Sequence, residues 1–302
     1  LKRSAQESLR HLIGKPGITI APGVFLPVVA MLAERKGFKA LYFSGGGFAN
    51  TLGLPDLGIT TATEVFEEVR KITRVTSLPL IVDADTGFGE TLNVSRTVAL
   101  AEEAGVAAIH IEDQVMPKKC GHLPDKQVVP EEEMVKKIVS AKRASNKGLV
   151  LIARTDSRGV EGFDSAVERS RLYVRAGADM VFPEALESEA EFTEFAKKVD
   201  APLLANMTEF GKTPYISAQQ FEKMGYKVVI FPITALRAAL KTVDSVFSEL
   251  LSRGTQKNVI DSLMTRGEMY DLIHYYSYER QDKDTEQAAL SLIRDTDKIK
   301  KA

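Results

Sequence analysis

The sequence predicts an α/β fold, a (β/α)8 barrel followed by a C-terminal helical extension. Three features carry that prediction. Short apolar runs recur about every thirty residues, amphipathic segments of helical length separate them, and a glycine stands between several of these segments and the run that follows. Strands alternating with helices form βαβ units and a parallel sheet, and near-continuous apolar strands belong to a sheet whose outer face is covered.

In chain order the strands are expected in "GITIAPGV" (17 to 24), "KALYFSGGG" (39 to 47), "LPLIVDADTGFG" (78 to 89), "VAAIHIED" (106 to 113), "LVLIARTD" (149 to 156), "ADMVFPEA" (178 to 185), "APLLANMTEFG" (201 to 211) and "YKVVIFPIT" (226 to 234). Eight units within about 230 residues suit a closed barrel better than a doubly wound open sheet, the alternative arrangement. Helices are expected over 64 to 76, 92 to 104, 131 to 144, 165 to 176 and 187 to 198, where apolar residues keep to one face. Gly37, Gly105, Gly177 and Gly225 are placed to end the helix before each strand. Beyond the eighth unit, residues 235 to 254 and the stretch around "MYDLIHYYSYERQ" make a helical tail longer than one closing helix needs. It either caps the barrel or forms an arm that packs on a neighbouring subunit.

Composition narrows the function classes. The 302 residues are 44% hydrophobic and 27% charged, ordinary for a globular protein. The 40 basic and 41 acidic residues are interspersed, so no nucleic-acid partner is expected. Cys120 is the single cysteine, which excludes an intrachain disulfide, fits a reducing compartment and leaves either a small buried hydrophobe or a working thiol. No run approaches the ~18 apolar residues of a membrane span and no signal-peptide pattern opens the chain. The expectation is a cytoplasmic protein, although a processed mitochondrial one would read the same.

Strand side chains alternate between faces, so polar residues two apart at a strand end point the same way. Tyr42 and Ser44, Asp83 and Asp85, His110 and Glu112, Arg154 and Asp156, and Asn206 and Thr208 are such pairs, and Glu184 ends its strand in phase with Met180 and Phe182. In a barrel they converge on the C-terminal mouth, where such folds keep their chemistry. Several buried carboxylates need a cation. Asp83, Asp85 and Glu112 offer hard oxygen ligands with no cysteine or histidine cluster, so magnesium or manganese is expected rather than zinc. Arg154 suits a substrate carboxylate, Asn206 and Thr208 are neutral donors, and the backbone at Ser44, Gly45 and Gly46 can cradle an anion. "SGGG" is neither a P-loop nor a dinucleotide fingerprint, and "KKCGH" lacks the second cysteine pair of a zinc site. A Cys-His dyad is formally possible, without an evident orienting partner.

The motifs "YFSGGGFANTLGLPDLG", "DADTGFG", "HIEDQ", "KKCGH", "ARTD", "FPEA" and "NMTEFGKTP" together resemble the isocitrate lyase and phosphoenolpyruvate mutase superfamily, over about residues 18 to 240. "KKCGH" marks the lyase branch. The resemblance implies a barrel of residues 1 to 240 with a gating loop at about 114 to 131. It also implies that residues 241 to 302 form a helical arm swapped between subunits of a homotetramer. Magnesium would be supported by Asp83, Asp85 and Glu112, with Asp56 acting through water. Tyr42, Ser44, Gly45, Gly46, Cys120, Gly121, His122, Arg154, Glu184, Asn206, Thr208 and Pro232 would contact a small 2-hydroxy acid.

The implied chemistry is cleavage of a carbon–carbon bond, leaving an enolate to be protonated by Cys120, whose pKa Lys118, Lys119 and His122 are expected to lower. Tyr42 and Glu112 are candidates for the base that deprotonates the hydroxyl. Spacing favours the short lyases of the family. Leu123 stands where 2-methylisocitrate lyases often have arginine, which favours a dicarboxylate and a 2,3-dimethylmalate lyase. The alternative is a 2-methylisocitrate lyase, followed by an oxaloacetate hydrolase, disfavoured because Pro232 stands where hydrolases tend to have serine. A non-catalytic scaffold is not expected, since no key carboxylate nor Cys120 is missing.

Overall fold

The computed structural model describes residues 3 to 299. The elements run in the order α1 (Ala5–Gly14), β1 (Thr19–Pro22), α2 (Pro27–Arg35), β2 (Leu41–Phe43), α3 (Gly45–Thr51), α4 (Ala62–Thr73), β3 (Leu80–Asp83), α5 (Thr91–Glu103), β4 (Ala108–Glu112) and α6 (Glu131–Ala144). They continue with β5 (Val150–Thr155), α7 (Phe163–Ala176), β6 (Met180–Pro183), α8 (Glu189–Lys198), β7 (Leu204–Asn206), α9 (Ala218–Lys223), β8 (Val228–Phe231), α10 (Thr234–Arg253), α11 (Arg266–Leu272) and α12 (Tyr275–Ile299).

All strand pairings are parallel, in two runs ordered β1-β8-β7 and β2-β3-β4-β5-β6. Single bridges between Gly23 and Tyr42 and between Val181 and Leu203 join the runs at both seams, so the eight strands close into a ring. Each predicted apolar run contains one of these strands. The strands are shorter than the runs because their polar ends turn away. Ser44, expected at a strand end, is the N-cap of α3 and accepts from Gly47 N at 3.1 Å.

Alternation along the strands divides the core. Tyr42, Ile81, Ala108, Ile152, Phe182, Leu204 and Ile230 pack inside the ring. Leu41, Val82, Ile109 and Leu151 face outward, against α4, α5 and α6 residues such as Val69, Val98 and Ile138. Across the ring, Phe192, Phe221 and Tyr226 pack edge to face between α8 and α9. Helix ends are locally encoded. Thr61 closes a capping box with Glu64 at the start of α4, and Gly177, at φ 114°, ends α7 in a left-handed turn that favours glycine.

The chain divides into two compact units, Leu1–Thr242 and Val243–Ala302. The second carries large exposed apolar side chains, among them Phe247, Leu251 and Leu292. No described helix is long and apolar enough to cross a membrane.

Glu102 ties α5 to the turn after α6, accepting from Ser145 Oγ at 2.8 Å, Asn146 N at 3.1 Å and Lys147 N at 2.8 Å. Burial pushes its pKa up, but these donors outweigh it and hold the carboxyl below its ordinary 4.5. A depressed carboxylate stabilises the fold above its unfolded pKa and loses that contribution as pH falls through the folded value. Glu102→Gln is therefore expected to cost about 2 kcal/mol in urea denaturation at pH 7, with the gap to wild type shrinking as the pH drops below that range.

Candidate active site

Parallel register brings the charged strand ends level, with Asp83 opposite His110 and Glu112 opposite Arg154. At the mouth of the ring they border a cavity of about 180 Å³. Tyr42, Ser44, Gly46, Asp56, Asp83, Cys120, Gly121, His122, Arg154, Glu184, Asn206, Thr208 and Pro232 all line it. Gly45, Asp85 and Glu112 stand behind its wall. Gly45 N donates to Asp83 Oδ2 at 3.1 Å, and Glu112 lies under Arg154. Asp85 instead borders a larger groove of about 560 Å³ between α4 and α5 that touches none of the other expected residues. The smaller cavity is the candidate site because it collects them.

Arg154 is the hub. Its Nη1 lies 3.2 Å from Glu112 Oε2, its Nη2 3.3 Å from Glu184 Oε2, and its Nε donates to Asp156 Oδ2 at 2.9 Å. Glu184 is also 3.2 Å from His122 Nε2 and accepts from Asn206 Nδ2 at 3.2 Å. Burial pushes Glu184 up, but Arg154 and His122 outweigh it and keep it ionised, well below the usual carboxylate range. Glu112 goes the other way. Burial lifts it well above its ordinary value against the pull of Arg154, and its Oε1 has no hydrogen-bond partner. Asp85, in a left-handed conformation at φ 46°, is raised by burial, against Lys118, to about 6. Burial also lifts Asp83, but His110, Lys118 and Arg154 together bring it below the ordinary value.

Tyr42 Oη and His110 Nε2 share a hydrogen bond of 2.8 Å. Burial lowers His110 to about 4 and raises Tyr42 well above 10, so both are neutral near pH 7. A phenol that holds its proton so firmly acts as a hydrogen-bond donor.

The lysines of "KKCGH" do not act on the thiol as expected. Lys118 pairs with Asp56 and, at 2.6 Å, with Asp85 Oδ1; Lys119 Nζ donates to Asp125 O at 3.2 Å; the His122 ring faces Glu184. With those charges engaged elsewhere, burial dominates and raises the Cys120 pKa instead of lowering it. The sulfur is a protonated thiol at neutral pH.

The expected metal ligands are spread in the same way. Among the described residues no three His, Cys, Asp or Glu side chains form a ligand set, because Asp83, Asp85 and Glu112 each face an N–H donor or a cation of the chain. The donor chemistry still fits a hard divalent ion. Glu112 Oε1 is buried without a hydrogen-bond partner, Asp85 Oδ1 is met by the Lys118 ammonium, and a side chain at Gly45 or Gly46 would come within 3.1 Å of Asp83 or 2.6 Å of Asp56.

Sequence reading missed Arg237, which lines the cavity and donates to Glu209 Oε2 at 2.6 Å. Its signal was a cation in the first turn of a helix, where the helix dipole disfavours one. It also missed Lys126, whose loop position gave no hint of burial.

Comparison with known proteins agrees with this geometry. The chain belongs to the phosphoenolpyruvate phosphomutase family, which matches residues 9–251, within the phosphoenolpyruvate mutase and isocitrate lyase superfamily. It is 58% identical over 285 residues to a 2-methylisocitrate lyase of Aeropyrum pernix, covering 94% of this chain and 92% of that protein. It is 48% identical over 293 residues to the 2-methylisocitrate lyase of Bacillus subtilis, covering 96% and 97%. A crystal structure of 2,3-dimethylmalate lyase superposes with a TM-score of 0.88 at 36% identity, covering 94% of this chain and 96% of that one. A phosphonopyruvate hydrolase in complex with oxalate and magnesium superposes with a TM-score of 0.83 at 29% identity, covering 93% and 98%. These relatives identify the chain as a carbon–carbon lyase.

Gly121 seats the loop against the Arg154 pair. A Cβ there would fall 2.2 Å from Glu184 Cγ and 2.8 Å from Arg154 Nη2. Gly121→Ala is expected to lift the loop without unfolding the barrel. Trypsin cleavage after Lys118 or Lys119 should accelerate several-fold while the thermal midpoint stays at its wild-type value.

Proposed function

We propose that the chain is a cytoplasmic, magnesium-dependent 2-methylisocitrate lyase, releasing pyruvate and succinate. The observation that carries this reading is 58% identity to an enzyme of that name over nearly the whole chain, joined to a mouth where Cys120 faces the Arg154 and Glu184 pair. It replaces the 2,3-dimethylmalate preference drawn from Leu123. That residue is 51% exposed and does not line the cavity, so a missing cation there removes nothing from the substrate's surroundings. Arg154, Arg237, Lys118 and Lys119 border the cavity, four cationic side chains against Asp56, Asp83 and Glu184, and support binding of a substrate with three carboxylates.

Asp83, Asp85 and Glu112 would hold magnesium, with Asp56 reached through water, and the ion would stabilise charge developing on the substrate hydroxyl. The chain's own groups do the rest. The Ser44 to Gly46 turn holds the pyruvate half, the glycines letting the backbone approach it closely. Arg154, fixed by three carboxylates, holds a carboxylate of the succinate half, beside Asn206 and Thr208. Glu112, whose Oε1 has no hydrogen-bond partner, is assigned the hydroxyl proton; a bound divalent cation would favour its ionised form. Bond cleavage leaves the succinate half as an enolate, and Cys120, kept protonated by burial, delivers its proton as the closed loop excludes water. In the same reading the exposed apolar side chains of Val243–Ala302 are covered by a neighbouring subunit, in a helix-swapped homotetramer.

A coupled pyruvate assay with magnesium should give a kcat/KM for 2-methylisocitrate about a hundredfold above that for 2,3-dimethylmalate, because the dicarboxylate lacks one of the carboxylates that the basic lining would bind. A preference for the dicarboxylate, or for oxaloacetate, would overturn the assignment. Cys120→Ser should lower kcat by about a thousandfold with magnesium binding, read by calorimetry, unchanged; wild-type turnover in it would remove the thiol from the mechanism.

A further inference from the structure

We propose that Lys126 is a positioning residue that latches the 114–131 loop over the active site by joining the turn that carries Cys120 to the carboxylate that orients Arg154. A lysine on a surface loop normally keeps its ammonium in water. Lys126 does the opposite, with a side chain only 2% exposed. Its Nζ donates to the carbonyl of Gly121 and, at 2.9 Å, to Asp156 Oδ1.

Both partners belong to the working end of the site. Asp156 is fully buried and holds Arg154 through Nε at 2.9 Å and Nη2 at 3.2 Å, so one carboxylate carries both cations. Gly121 is the residue whose Cα rests on Glu184 and Arg154. Its carbonyl fixes the depth at which the Cys120-Gly121-His122 turn sits. Lys126 thus links the height of the thiol to the aim of the guanidinium. The pair holds together because a buried ammonium beside a buried carboxylate is far better placed than either alone.

A lysine that merely filled space would be replaceable by methionine without moving Cys120. Cys120 is the only cysteine of the chain, so alkylation by iodoacetamide reads the loop directly. In Lys126→Met the thiol should alkylate about tenfold faster than in wild type at a temperature well below the variant's own thermal midpoint, because the latch no longer opposes opening. The same variant should lose about a hundredfold in kcat with a smaller change in KM, as expected for a displaced catalytic group. Lys126→Arg, which keeps the charge facing Asp156, should recover most of the protection. A wild-type alkylation rate in Lys126→Met overturns the proposal, as does a folded arginine variant no better protected than the methionine one. Should Lys126→Met fail to fold, Lys126→Gln, which keeps a donor for Gly121 but no charge for Asp156, must show the same faster alkylation, and a wild-type rate in it is equally fatal. Only the kinetic arm rests on the lyase reading. A wrong substrate assignment leaves the alkylation result intact.

Discussion

The ion cluster around Arg154 is the constraint on which the rest of this molecule depends. One guanidinium lies within about 3 Å of Glu112, Asp156 and Glu184, and each contact supplies on the order of 5 kcal/mol of gross attraction at an effective dielectric near 20. Removing each ion from water costs several kcal/mol, so the cluster adds little net stability. Its effect is on geometry. A guanidinium with fixed donors and three carboxylate partners has one orientation, and every other group at the mouth is arranged around it.

That cluster also explains why the loop closes where it does. The barrel mouth has more carboxylates than Arg154 can satisfy, and Asp56, Asp85 and Asp156 find their remaining partners in Lys118 and Lys126 of the loop. Closure is therefore electrostatic as much as steric. The same pairing determines the state of Cys120. With Lys118 held by Asp56 and Asp85 and Lys119 by the Asp125 carbonyl, the loop cations do little for a thiolate, and burial keeps the proton on sulfur. A protonated thiol is what a group that ends a reaction by giving up a proton requires.

Substrate choice follows from which side chains face inward. Leu123 stands at a conspicuous position beside the Cys-Gly-His motif yet does not line the cavity, whereas Arg237 makes no conspicuous motif yet lines it. Sequence proximity to a catalytic loop is a poor guide to contact, since a turn exposes part of its residues to solvent.

The sequence by itself determined the eight strands, five of the helices between them and the parity that aims Tyr42, Asp83, Glu112, Arg154, Glu184 and Asn206 at one rim. These follow from local rules, the two-residue alternation of a strand and the capping of a helix, which act over a few residues. Most of the lining was legible for the same reason, because a strand-end residue inherits its direction from its strand. Only the tertiary structure decided the partners of the loop: Lys118 with Asp56, Lys126 with Asp156, and His122 with Glu184. Those pairs join residues 30 to 62 positions apart, and no periodicity records them. The sign of the Cys120 shift reversed between sequence and structure on that account, since neighbouring lysines in the chain promise a stabilised thiolate, and lysines held by Asp56, Asp85 and the Asp125 carbonyl do not provide one.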